Sequence, residues 1–366
     1  MFSNLTRNEE ILVYLDYLGL SRKKLQFIYE KYSSYEKFFE NFKLDQDLIK
    51  PYLTDKTLNL IKDKLIEENI ANMINYLKDR KVSVCTFLSD DYPVALKNIP
   101  DRPFVLYFKG DINLLNAEHI LGVVGTRKPS KYGREVAEIF VKEVVKHNVV
   151  TISGLAYGID SAVAKATLEQ NGKTIAVLGG GLNEIYPSTN TNLAEEIIAS
   201  GGLLLSEYFP NLRPTQYTFP ERNRIVSGLS RGVLIIEAGE GSGSLITANF
   251  ALEQGKELFV VPANITSVQS KGCNRLIYEI PHCMVYSPDN ILTSFGIKVD
   301  EQELEDKNLQ LTIEQQIVYD VLLEGDIHFD ELVIKTKLQP SLLNEMLTEM
   351  EIAGIVKNLS GNYYGV

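Results

Sequence analysis

Eight short apolar runs, none alternating with polar residues, fill the middle of this chain. They are Val82–Phe87, Val105–Phe108, Ile120–Val124, Val149–Ile152, Thr174–Leu178, Leu203–Leu205, Val233–Ile236 and Leu258–Val261. A strand that is apolar on both faces must be covered on both faces. Between the runs lie amphipathic stretches at Gly133–His147, Ile159–Gln170, Asn192–Ser200 and Ser244–Gln254, which suit helical crossovers. The pattern predicts an α/β fold: a doubly wound, Rossmann-like parallel sheet over residues 76–298.

Two smaller modules flank it. Residues 1–75 read as helices alone. Ile11, Leu12, Leu15 and Leu18 recur at helical spacing, then Leu25, Phe27 and Ile28, then Phe38, Phe39 and Phe42. Gly19-Leu20-Ser21 ends the first helix and offers Ser21 as N-cap of the second. This is a small helical domain of SAM or degenerate helix-hairpin-helix type. It lacks the glycine hairpin with which such modules approach phosphate, which favours packing or partner binding over DNA contact. An acidic linker is expected over 299–310, within GIKVDEQELEDKNLQ. Over 311–366, helices at Ile313–Leu323, Phe329–Thr336 and Pro340–Ile352 precede a hairpin of Ile355–Leu359 and Tyr363–Val366. That is winged-helix order, and Pro340 suits the first turn of the third helix.

Spread evenly, a formal charge of -11 would argue against a nucleic-acid partner. It is not spread evenly. Residues 1–75 hold 11 Lys+Arg against 12 Asp+Glu, residues 76–299 hold 22 against 22, and residues 300–366 hold 4 against 14. The sheet region is neutral, and screening over about 8 Å confines the acidic excess to its own end of the chain. Cys85, Cys273 and Cys283 have no CxxC spacing, so neither a disulfide framework nor a metal site is expected. With no signal-like start and no apolar run near ~18 residues, a cytoplasmic location is expected.

In an open parallel sheet, ligands bind beyond the carboxyl ends of the strands. The loops there are Gly125-Thr126-Arg127-Lys128, Ser153 to Gly158, Gly179-Gly180-Gly181, Ser206-Glu207-Tyr208 and Gly239 to Ser244. Four of the five are rich in Gly or Ser and run toward helix starts, where backbone N–H groups bind anions. With Arg127 and Lys128 on the first, they favour a phosphate-bearing ligand. No GxGxxG follows the sheet's Ile120–Val124 run, and Gly172-Lys173-Thr174 precedes a strand instead of following one. Neither a dinucleotide nor ATP is therefore expected, and no cofactor is assigned.

Phe219-Pro220-Glu221-Arg222-Asn223-Arg224 joins two guanidiniums, an amide and an aromatic ring. Arginine presents a planar fork to phosphate and stacks on bases, and an aromatic ring is a stacking platform. The alternative is a helix start with Phe219 in the core and Arg222 and Arg224 paired to Glu221 or Glu237, with Glu237 preferred as the holder of both. His119, His147, His282 and His328 are scattered, and Ser244 has no histidine partner, so no catalytic residue is assigned.

These segments, GVVGTRKPSKYG, VVTISGLAYGID, GKTIAVLGGGLNEIYP, LLLSEYFP, FPERNRIVSGLSRGVLIIEAGEGSGSLITANFALEQGKELFVVP and SKGCNRLI, closely resemble the DNA-processing DprA (Smf) family over roughly residues 85–285. The resemblance implies a non-enzymatic single-stranded-DNA-binding protein. Such a protein protects incoming DNA in natural transformation, loads the RecA recombinase and dimerises through its Rossmann-like domain. By that resemblance Arg127 clamps phosphate, with Gly125, Thr126 and Lys128 beside it in the DNA-binding loop, and Phe219 stacks near a base. Arg222, Asn223 and Arg224 line the same pocket, and Ser242, Gly243 and Ser244 supply donors. Five positions depart from the family pattern. Ser188 and Gln216 stand where many members carry lysine, Val163-Ala164 replaces Ala-His, and Ala263 replaces Gly.

The residues speak against two other classes. A nucleotide-processing enzyme of phosphoribohydrolase type would end the Gly241–Thr247 stretch in a catalytic glutamate, where this chain has Thr247. A protein–protein adaptor with a vestigial pocket would have no need of Arg127, Arg222 and Arg224.

Overall fold

The computed structural model describes residues 5–298, 311–352, 355–359 and 361–366. It divides into two compact units, Met1–Ile297 and Lys298–Val366. The acidic linker expected over 299–310 lies outside the described residues.

The first unit opens with six helices: α1 (Arg7–Tyr17), α2 (Arg22–Tyr32), α3 (Tyr35–Asn41), α4 (Gln46–Ile49), α5 (Asp55–Lys64) and α6 (Glu67–Asp79). Thr6 and Glu9 form a capping box at the start of α1, whereas Ser21 makes no side-chain cap on α2. Strands and helices then follow as β1 (Ser83–Thr86), α7 (Val94–Lys97), β2 (Val105–Gly110), β3 (Ile120–Gly125), α8 (Lys131–Lys146), β4 (Val150–Ser153), α9 (Ile159–Glu169) and β5 (Thr174–Leu178). The unit continues as α10 (Thr191–Ala199), β6 (Leu203–Ser206), α11 (Thr218–Leu229), β7 (Gly232–Ile236), α12 (Gly243–Glu253), β8 (Glu257–Val260), α13 (Lys271–Glu279) and α14 (Pro288–Ser294).

The eight strands form one sheet in the order β1-β2-β6-β5-β4-β3-β7-β8. Six run parallel, from β6 through β8, whereas β2 pairs antiparallel with both β1 and β6. The expected doubly wound parallel sheet is present, with β2 as its antiparallel member. The Val105–Phe108 run is buried throughout, so its composition is that of a central strand in either direction. Only the connection differs, because no long helical crossover separates β1 from β2. Strands β5 and β7 are buried at every residue, as unalternating runs require. Helix α8 buries Ala137, Phe140, Val141, Val144 and Val145, a stripe at helical spacing.

The six N-terminal helices share one core with this sheet. Leu12, Leu15, Leu25 and Phe38 belong to the same buried cluster as Val105, Tyr107 and Leu204. Phe209 sits at the seam, its ring centroid 4.5 Å from that of Tyr17 and 5.5 Å from that of Tyr107. The second unit holds α15 (Ile313–Leu322), β9 (Ile327–His328), α16 (Phe329–Thr336), α17 (Pro340–Ile352), β10 (Lys357–Leu359) and β11 (Tyr363–Gly365). Its sheet has the order β10-β11-β9, so the expected hairpin gains one short strand. Its core is its own, including Val318, Leu332, Leu347 and Tyr364. No helix among the described residues is long and apolar enough to cross a membrane.

At the seam, Tyr107 donates its hydroxyl to Asp16 at 2.7 Å. Burial pushes the Asp16 carboxyl up to about 7, against the pull of that hydrogen bond. An unfolded aspartate titrates near 3.9. A raised folded pKa means that the stability carried by the protonated acid is full below about pH 4 and is lost as the pH rises through 7. Asp16→Asn should flatten the thermal-melting profile across that window and raise the melting temperature at pH 8. A wild-type profile in the variant would show that the carboxyl titrates freely in the folded state.

Candidate nucleic-acid interface

The strand order reverses at β3. The chain winds outward through β4, β5 and β6 on one side and continues to β7 and β8 on the other. A crevice opens at such a switch point. Here it is a cavity of about 1170 Å³ at the carboxyl ends of the strands, entered by the first turns of α11, α12 and α13.

Ten of the eleven expected residues line it: Gly125, Thr126, Arg127, Lys128, Phe219, Arg222, Asn223, Ser242, Gly243 and Ser244. The loop after β3 is held under the start of α9. Gly158 there has φ +83°, and a Cβ on it would run into the Thr126 carbonyl oxygen. Arg127 and Lys128 are exposed at the rim. The Arg127 guanidinium lies 5.4 Å from the Phe219 ring centroid, in cation–π contact. Phe219 is half-buried on the wall. Its ring packs so closely on the loop after β5 that a Cβ on Gly179 would stand 2.7 Å from Phe219 Cδ1. The Gly179–Gly181 and Ser206–Tyr208 loops do not line the cavity; they back its walls.

Arg222 lines the cavity but is 4 % exposed. Its Nη1 donates to the Gly154 carbonyl at 2.7 Å and also to the Val177 carbonyl. Burial pulls this guanidinium down to about 10, so it remains cationic at neutral pH. Asp160, in the first turn of α9, accepts from the Gly154 and Ala156 N–H groups at 3.1 and 3.3 Å. Burial pushes its carboxyl up, while the Arg222 charge pulls it down. Asn223 donates to the Gly243 carbonyl at 3.3 Å and ties α11 to α12.

Arg224 is not in the cavity wall. Residues two apart on a helix do not share a face, so α11 turns Arg224 away when it turns Arg222 inward. At 3 % exposed, its Nη2 bridges both Glu207 oxygens at 2.6 and 2.5 Å. The preferred pairing of both arginines with Glu237 does not form. Glu237 instead accepts the Ser130 N–H at 2.8 Å, at the N-terminus of α8, where a carboxylate complements the helix dipole.

Helix α12 begins at the cavity with Ser242 as its N-cap, accepting from the Ser244 N–H at 3.4 Å. One turn on, Thr247 lines the cavity with a buried hydroxyl that has no hydrogen-bond partner among the described residues. Lys271, at the start of α13, adds a third rim cation that sequence reasoning missed. Tyr186, Pro214, Thr215 and Gln216 complete the opposite lip. Tyr186 is half exposed, with its ring 5.5 Å from that of Phe219. None of Arg127, Lys128 and Lys271 forms an ion pair with a described residue. Glu240 is the exposed carboxylate on this lining.

A family model for DNA recombination-mediator protein A matches residues 83–296, and one for the DprA winged helix domain matches residues 302–362. The chain belongs to the DNA recombination-mediator protein A family. Among relatives of this DprA family, the DNA processing protein DprA of Bacillus subtilis is 37 % identical over 272 residues, covering 72 % of this chain and 88 % of that protein. Protein Smf of Escherichia coli is 43 % identical over 211 residues, covering 57 % and 56 %. The X-ray structure of Streptococcus pneumoniae DprA aligns with TM-score 0.65 at 33 % identity, over 80 % of this chain and 99 % of that one. The Helicobacter pylori DprA structure, described for its unique single-stranded DNA binding mode, aligns with TM-score 0.53 at 31 % identity, over 58 % and 95 %.

The two central arginines of α11 and the rim arginine should separate in their effects on folding. Arg224→Ala leaves Glu207 buried with only Arg22 near it, and breaking such a pair costs about 3–5 kcal/mol. Its melting temperature should fall by many degrees. Arg127→Ala should melt like wild type, because that side chain is exposed and unpaired. Equal melting temperatures for the two variants would contradict this division of roles.

Proposed function

We propose that this member of the family is a single-strand-binding recombination mediator. It holds single-stranded DNA in the cavity at the switch point, protects it and passes it to the RecA recombinase, a role that serves incoming DNA in natural transformation. The observation that carries this reading is an unpaired Arg127 held against the Phe219 ring at the mouth of a large cavity. Arg127, Lys128 and Lys271 face phosphates, the Phe219 and Tyr186 rings face bases, and the Ser242–Ser244 helix start offers N–H and hydroxyl donors.

The reading is of a binder and not a catalyst. None of the four histidines lines the cavity, and Thr247 stands where a phosphoribohydrolase would place its glutamate. We keep the proposed regions at 1–75, 76–298, 299–310 and 311–366, with the first two packed on one core and α6 (Glu67–Asp79) running across the boundary between them. A homodimer through the sheet-bearing region is consistent with large exposed apolar side chains at Ile265, Tyr278, Met284 and Tyr286. The wing module is assigned no DNA contact, since residues 340–354 contain Glu345, Glu349 and Glu351 and no Lys or Arg, and a DNA-reading helix needs cations.

Fluorescence anisotropy with oligothymidylate tests the reading. Arg127→Ala should lose most of the affinity, with the salt slope reduced by about 0.7 for one phosphate. Phe219→Ala should weaken binding by about 1–3 kcal/mol with little change in slope. Wild-type affinity in Arg127→Ala at moderate salt would place the strand elsewhere. Deleting residues 305–366 should leave binding equal or stronger, and a large loss would assign the wing module to DNA. RecA loading is checked by strand exchange on DNA coated with single-strand-binding protein, with a nucleotide-hydrolysis control for the enzyme alternative.

A further inference from the structure

A second basic cleft, of about 370 Å³, lies outside the cavity, where α2 meets the segment after α7. Lys23, Lys97 and Arg102 line it, together with Arg22, Asp101 and Phe104. Lys23 and Lys97 are exposed. The Arg102 guanidinium lies 4.9 Å from the Phe87 ring centroid and 5.6 Å from that of Phe104, so two aromatic faces fix its position. None of Lys23, Lys97 and Arg102 forms an ion pair with a described residue. Arg22 is neutralised by Glu207 and Glu221, at 3.3 and 2.6 Å. Three uncompensated cations thus face a single lining carboxylate, Asp101, an excess that attracts a polyanion.

Helix α11 lines the cavity and touches residues that line the cleft. Its first two turns give Phe219, Arg222 and Asn223 to the cavity, while Glu221, between them, binds Arg22 of the cleft. At its far end Gly228 packs against Leu96 and Ile99, where a Cβ would stand 2.9 Å from Leu96 Cδ2. Ile99 lines the cleft. Twelve helical residues span about 18 Å, and the cleft's Arg22 and Ile99 touch that helix near its two ends.

We propose that this cleft is a second contact for nucleic acid, taking the phosphodiester backbone of the strand that the cavity holds. The proposal rests on the reading of the cavity as a single-strand site. Continuity along α11 favours a nucleic acid over an acidic protein segment, which would have no need to lie beside the cavity.

The test uses the full chain carrying Lys23→Glu and Lys97→Glu together, with anisotropy over a salt series. The probes are a short oligothymidylate that only the cavity can hold and one several times as long. Both lysines are exposed and unpaired, so the melting temperature should match wild type. Short-probe binding should be unchanged. The long probe should lose its advantage over the short one, with a salt slope lower by roughly 1.4, for two phosphates at about 0.7 each. An unchanged long-probe affinity and slope overturns the cleft and leaves the cavity reading intact. Equal losses on both probes also overturn it, since the lysines would then act through the general field. If wild type binds neither probe, both readings fall. Polyglutamate binding that the variant loses while keeping its long-probe affinity would assign the cleft to an acidic protein.

Discussion

Two buried guanidiniums hold α11 against the sheet, and the cavity depends on that hold. Arg222 reaches inward to the Gly154 and Val177 carbonyls at the ends of β4 and β5. Arg224 reaches outward to Glu207, just past β6. Burying a guanidinium is costly, and these acceptors offset the cost, although Arg224 Nε and Nη1 have no partner among the described residues. These bonds therefore fix both the depth and the rotation of the helix. Phe219 and Asn223 are placed as a consequence. The N-terminal helices are drawn into the same arrangement, because Arg22 on α2 binds both Glu207 and Glu221.

The charge of the site follows from geometry more than from composition. The sheet region is neutral by count, yet its cations and acids are sorted by depth. Asp160 accepts backbone N–H groups, Glu237 caps α8 and Glu207 binds arginines, so three carboxylates near the strand ends are engaged internally. Arg127, Lys128 and Lys271 are left at the rim. A polyanion meets the exposed cations first, and their field is focused by the low-dielectric walls of the cavity.

Much of this was legible in the sequence, and the misses have physical causes. All eight apolar runs are strands, because a run such as Thr174–Leu178 has no polar side to turn to water. The direction of β2 was not legible, since full burial looks alike in both orientations. The loops at Gly125–Lys128 and Gly239–Ser244 announced themselves by glycine and serine at strand ends. The family resemblance places Arg222, Asn223 and Arg224 in one pocket, as neighbours in sequence. In a helix, the second arginine points the other way. Glu237 does not pair with the arginines, because its place at the carboxyl end of a strand says nothing of the Ser130 N–H brought to it by α8. Lys271 carried one available signal, its place just ahead of the Gly272-Cys273-Asn274 helix start. Thr247 was noticed only for not being glutamate, and its unpartnered hydroxyl is visible only once α12 is folded.

The cavity draws its lining from segments spread between Val124 and Lys271, and each is set in place by a different strand or helix start. No hairpin or single βαβ unit contains even half of it. Partial unfolding thus has no weakened version of the site to offer, only its disappearance. Displacing any one of those strands or helix starts would then remove part of the lining and with it the capture of ligand. The site behaves as an all-or-none property of the assembled sheet, which couples the usefulness of each molecule to its complete folding.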